Sequence, residues 1–79
     1  MISKKYIKSL DFETIEDIFK YIVESKINGA ISQFKELINK LSQSQYIDFI
    51  NYINDWEYLN NDYISQKTFK DDVIKERVL

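Results

Sequence analysis

The stretch Asn28-Gly29-Ala30-Ile31-Ser32-Gln33-Phe34-Lys35-Glu36-Leu37-Ile38-Asn39-Lys40-Leu41 decides the fold. Its opening dipeptide, Asn28-Gly29, is the strongest short signal for a type I′ β-hairpin. The twelve residues after it do not alternate as a strand would. Ala30, Ile31, Phe34, Leu37, Ile38 and Leu41 recur at the spacing of one helical face. Gly29 then reads as the left-handed residue that comes after a helix end, and the spacing predicts a helix over 30–41.

Upstream, Phe12, Ile15, Ile18, Phe19, Ile22 and Val23 share one face of a helix over 12–27. Asp11 is its expected cap, with Leu10 and Ile15 in the two staple positions. Glu13, Glu16 and Asp17 load its first turns with the charge the helix dipole favours. Downstream, Ser42 and Gln45 have capping-box spacing and Leu41 with Tyr46 that of a staple. They open a third helix over 43–59 that turns Tyr46, Phe49, Ile50, Ile53 and Trp56 inward. Asn60-Asn61-Asp62 is a turn by composition. Ser65 caps a fourth helix running to Arg77, with Ile64 and Phe69 as staple and Phe69, Val73 and Ile74 facing in. The Ile2–Ile7 stretch leaves three readings open: helical lead-in, extended arm or edge strand. The expectation is a single all-α domain over 1–79, a compact bundle of three to four short helices, with residues 1–10 as a flexible or lead-in arm.

Seventy-nine residues allow one core and no second. Five Phe, six Tyr, a Trp and 13 Ile are too much apolar mass for a disordered chain. No apolar run approaches the length that spans a bilayer, so no membrane role is expected. The basic start, Lys4, Lys5 and Lys8, is not followed by the apolar region of a secretion signal, and a cytoplasmic location is the expectation. Ile, Lys and Asn dominate while Ala, Gly, Arg and Pro are scarce, a skew that follows AT-rich codons and points to a bacterium, plasmid or phage.

The missing residue types rule out most catalytic chemistry. Without histidine there is no general base that titrates near neutrality, and without cysteine no thiolate nucleophile or zinc site. One glycine cannot build a phosphate-cradling loop. Asp55-Trp56-Glu57-Tyr58-Leu59 lacks the third oxygen ligand and the glycine of a calcium loop. Asp11, Glu13, Glu16 and Asp17 crowd together, but as helix N-terminal charge on a solvated face. No enzyme, cofactor or metal is expected. A helix-turn-helix reading of 12–41 fails on charge: the second helix sets Lys35 and Lys40 against Glu36, the sole arginine is Arg77, and the chain is acidic, with pI near 5.0. Nucleic acid is therefore not the expected partner.

Charge layout carries the functional reading. Residues 1–10 hold a charge of +3 and residues 41–66 a charge of −4, and no basic residue lies between Lys40 and Lys67. That acidic stretch also holds four of the six tyrosines and the tryptophan. On a wheel of about 100° per residue, Asp48, Asn51, Asp55 and Tyr58 fall opposite the inner stripe, with Asp62 in line and Ile47 and Tyr52 flanking. Carboxylates that steer and aromatics that anchor are the makings of a protein-binding face. The competing reading is a central helix whose Tyr52 and Tyr58 cover its neighbours and whose acids pair with Lys70 or Lys75.

Asp48, Asp55, Tyr58 and Asp62 are similar in character to the acidic, tyrosine-bearing helix face of small helical immunity proteins that block nuclease toxins. The likeness is compositional and covers one helix. It implies an inhibitor or immunity-type protein that occludes a basic surface on a toxin or nuclease. Two alternatives stand beside it: a structural adaptor or homodimer using Ile47, Tyr52 or Tyr58, and a minor nucleic-acid binder using the Lys4/Lys5/Lys8 arm.

Overall fold

The computed structural model describes residues 1–55 and 66–77. Among them lie α1 (Lys4–Ser9), α2 (Ile15–Ile27), α3 (Ile31–Lys40), α4 (Gln43–Asp55) and α5 (Gln66–Arg77). The architecture is the expected all-α compact bundle. The N-terminal stretch contributes a short helix of its own, which settles its three readings in favour of the lead-in.

The junction at Asn28-Gly29 is a helix end. Gly29 has φ +81°, and Ala30 N–H donates to Ser25 O (2.8 Å) while Gly29 N–H donates to Lys26 O (3.2 Å). These are the two crossed bonds of a Schellman motif, which satisfy carbonyls that α2 would otherwise leave open. A Cβ on Gly29 would meet nothing within 4 Å, so only backbone conformation demands glycine there.

The same motif ends α1, and it corrects the role of Asp11. Phe12 N–H donates to Ile7 O (3.1 Å) and Asp11 N–H to Lys8 O (3.0 Å), with Asp11 at φ 62°. Asp11 therefore closes α1 from the left-handed position, which Asp tolerates better than most residues, and does not cap α2. Thr14 does. Its hydroxyl accepts from Asp17 N–H (3.4 Å), while one Asp17 carboxylate oxygen accepts from Thr14 N–H (3.1 Å) and Glu13 N–H (3.0 Å). With the cap moved three residues on, the Leu10–Ile15 staple has no role, and Phe12 instead packs its half-buried ring edge-on against Tyr21 at 5.4 Å.

The Ser42–Gln45 box forms as expected. Gln45 N–H donates to Ser42 Oγ (3.1 Å) and Ser42 N–H to Gln45 Oε1 (2.9 Å). The same side chain reaches back 43 residues, accepting from Ile2 N–H (3.0 Å) and donating to Ile2 O (2.7 Å). This pair of bonds seats Ile2 and Ile7 in the core, so the N-terminal segment is part of the bundle and not a loose arm.

Helix α3 packs against α2 and α5, and α5 against α4. Ile18, Ile22, Val23, Ile38, Phe49, Ile53, Phe69 and Val73 form the fully enclosed centre of the bundle. Aromatic rings bridge the helices, Phe19 to Phe49 at 5.2 Å and Phe34 to Phe69 at 5.9 Å. Arg77 locks the end of α5 in place: its guanidinium donates to Ile38 O (2.6 Å) and lies 4.9 Å from the Tyr46 ring centre.

Several inward assignments shift. Ala30, Ile31 and Ile74 are exposed rather than buried: Ala30 precedes α3 as its N-cap, and Ile31 and Ile74 sit at the edge of their helices' apolar stripes. Tyr46 and Ile50 are half-buried. The centre of α4's inner stripe lies at Phe49 and Ile53, turned toward Tyr52, which packs on the core. Trp56, Leu59, Ile64, Ser65 and the expected turn at 60–62 lie outside the described residues.

Candidate functional site

The candidate site is the outer side of α4. Phe49 and Ile53 point into the core, and the residues opposite them on a helix of about 3.6 residues per turn are Asn51, Asp55 and Asp48. All three are exposed. Beside them Ile47 is 51 % exposed. The structure thus brings together Asp48, Asn51 and Asp55 of the expected contact residues. Tyr58 and Asp62 lie outside the described residues.

Among the described residues, the carboxylates of Asp48 and Asp55 form no ion pair. The pairing expected from Lys70 goes elsewhere: its ammonium donates to Asn54 Oδ1 at 3.2 Å. Among the described residues the ion pairs join Lys26 to Asp72 (3.4 Å) and Lys40 to Glu36 (3.7 Å). Neither involves α4, so the acids of this face keep their field for solvent or a partner.

Tyr52 is the correction to this face. Its ring lies 5.4 Å from Phe19 and stacks at 6.4 Å on Phe49, so it covers the α2–α4 seam instead of offering itself for contact. Burial raises the Tyr52 phenol above its usual range, and the carboxylates of Glu24, Glu16 and Asp17 push it the same way. Those three acids belong to α2. The negative surface therefore extends from α4 across the Tyr52 seam onto α2, which a wheel of α4 alone misses. The signal was present in sequence only as Glu16 and Glu24 two turns apart on α2. Which neighbour they face is a matter of packing. Asp17 is held below the usual carboxylate range because Glu13 N–H and Thr14 N–H both donate to it, and its task is capping.

No protein family, curated protein or solved structure matches this chain. What the face can do depends on its chemistry. Among the described residues no three carboxylates converge as a metal-ligand set. Nor is any helix among them long and apolar enough to cross a membrane. An exposed amide, two carboxylates outside any ion pair and a bared isoleucine can together attract, align and dock a protein surface of opposite charge.

Proposed function

We propose that this protein is a small non-enzymatic binding module of the inhibitor or immunity type, which occludes a basic surface of a partner protein such as a nuclease. The observation that carries this reading is the pair of carboxylates, Asp48 and Asp55, flanking Asn51 and the exposed Ile47 on one side of α4. Surface charges commonly pair with a neighbour on the same molecule. Among the described residues these two do not, and their field is reinforced by Glu16 and Glu24 across the seam. Enzymes that handle nucleic acid present basic grooves, and a compact acidic domain competes there with the phosphate backbone.

Affinity capture from the native host tests the reading, with wild-type protein and the Asp48→Lys/Asp55→Lys variant as parallel baits. A basic protein retained by wild type, eluted by salt and missing from the variant is the expected result. If that protein cuts nucleic acid, adding wild-type domain should inhibit it. Identical captures by both baits would overturn the proposal. The homodimer alternative keeps Ile47, while Tyr52 is half-buried against the core, and light scattering separates it, because it requires a doubled mass without any partner.

A further inference from the structure

On another side of the molecule, α1 and the first turn of α2 enclose a cleft of about 450 Å³. Its floor is apolar, formed by Ile2 and Ile7, both almost fully buried, with half-buried Ile15 beside them. One wall is basic: α1 supplies Lys4 and Lys8. The other is acidic, with Glu13 and Glu16 from the start of α2. Two lysines and two glutamates thus line one cavity, with Met1 beside them, yet among the described residues none of these four side chains is in an ion pair. Its volume lies within the roughly 300–1,000 Å³ of small-ligand sites and exceeds the needs of a single amino acid.

We propose that this cleft binds a short zwitterionic peptide with an apolar residue between its free ends. The peptide carboxylate lies toward Lys4 and Lys8, its ammonium toward Glu13 and Glu16, and the apolar side chain rests on Ile2, Ile7 and Ile15. Three extended residues span about 10 Å, which keeps the two end charges of such a peptide apart. A neutral apolar ligand would leave both walls unused, and a simple anion would meet the repelling pair on α2. Gln45 keeps the floor in place: its Oε1 accepts from Ile2 N–H and Ser42 N–H, and its Nε2 donates to Ile2 O. This site shares Glu16 with the acidic surface of the proposed function but neither Asp48 nor Asp55, so the Asp48→Lys/Asp55→Lys variant leaves the cleft intact and either proposal can fail alone.

The test titrates the full chain with the tripeptide Ala-Leu-Ala in four forms: free, N-acetylated, C-amidated and doubly blocked. NMR follows the methyl groups of Ile2, Ile7 and Ile15. The free form should bind tightest. Each blocked end should weaken binding by about two- to fivefold, the worth of an exposed ion pair. In the Lys4→Gln/Lys8→Gln variant the carboxylate and amide forms should become equivalent, while free and acetylated amines still differ. Glu13→Gln/Glu16→Gln should do the reverse. All four side chains are exposed, so neither variant threatens folding. Equal affinity for all four peptides, or no movement of the three isoleucines, would overturn the proposal. So would methyl shifts that follow protein concentration without peptide, because the occupant would then be a second copy of the chain.

Discussion

Phe49 has no exposed surface and holds neighbouring elements together, with rings of Phe19, Tyr52 and Phe69 centred 5.2, 6.4 and 6.5 Å away. Removing it leaves a cavity that rigid neighbours cannot close, and Phe49→Ala should cost about 3–5 kcal/mol, a large share of the stability of a domain this small. Ile50, one position on, is only half-buried, and Ile50→Ala should cost about 1–2 kcal/mol, since half the apolar area is lost and solvent refills the gap. Urea melts of the two variants check the ordering; equal midpoints would mean that α4 is rotated from the phase described. Tyr52 gives a pH signature. Its phenol is raised above 10.0 by burial and by Glu24, Glu16 and Asp17, so the unfolded chain loses this proton first as pH climbs. The folded state's advantage is full below about pH 10 and declines as pH rises through the folded value. Ultraviolet titration should show one phenol ionising later than free tyrosine, and Tyr52→Phe should remove that late step and flatten the alkaline loss of stability.

Gln45 shows how one side chain can serve two elements at once, closing the capping box of α4 and binding both backbone groups of Ile2. Gln45→Ala should cost about 1–2 kcal/mol through the lost cap and the buried Ile2 groups left unpaired. Amide exchange should quicken at Ile2 and Ser42 and through α1, while the centres of α2 and α3 keep their protection; unchanged exchange at Ile2 would show that α1 is held by its apolar contacts alone. The two halves of Gln45's role are unequally legible. The Ser42–Gln45 box is local, three residues apart, and reads directly from sequence. The bond to Ile2 spans 43 residues, and without it the six residues of α1 are too few to form a helix on propensity; that is why Ile2–Ile7 supports three readings in isolation. Asp11 misleads for a related reason. Asp serves as a helix cap at one end and tolerates the left-handed turn at the other, so its role depends on whether a helix precedes it. Where the pattern is long and periodic, at Phe34, Leu37 and Ile38 or at Phe49 and Ile53, burial follows the period. At stripe edges, Ile31 and Ile74, it does not, because a wheel shows direction but not how far the neighbouring helix extends.

For the whole molecule the net charge of −2 matters less than its placement: lysines at α1, acids across α4 and onto α2. Exposed charges more than about 8–10 Å apart are screened from one another at physiological salt, so an approaching protein responds to the charges nearest to it and not to the net charge. This lets the acidic side steer a basic partner even though Lys4, Lys5 and Lys8 sit on the same small domain. Of the expected site, the acidic pole of α4 is legible because Asp48, Asn51 and Asp55 keep helical spacing, whereas Tyr52's inward turn and the α2 acids depend on which helices meet. The rate of association with the captured partner tests the steering. Wild-type association should slow as salt rises, because long-range attraction brings the partner in. Asp48→Lys/Asp55→Lys reverses both charges on this face, so its association should be slower at low salt and no longer slow further as salt is added. Tyr58→Ala should act on dissociation instead, since a packed aromatic holds a complex already formed; Tyr58 is an expected contact residue from sequence spacing alone and lies outside the described residues. Stopped-flow traces across a salt series separate the two effects. Should wild type and the double lysine variant show the same salt slope, steering comes from some other surface, and the acids of α4 are only solvated.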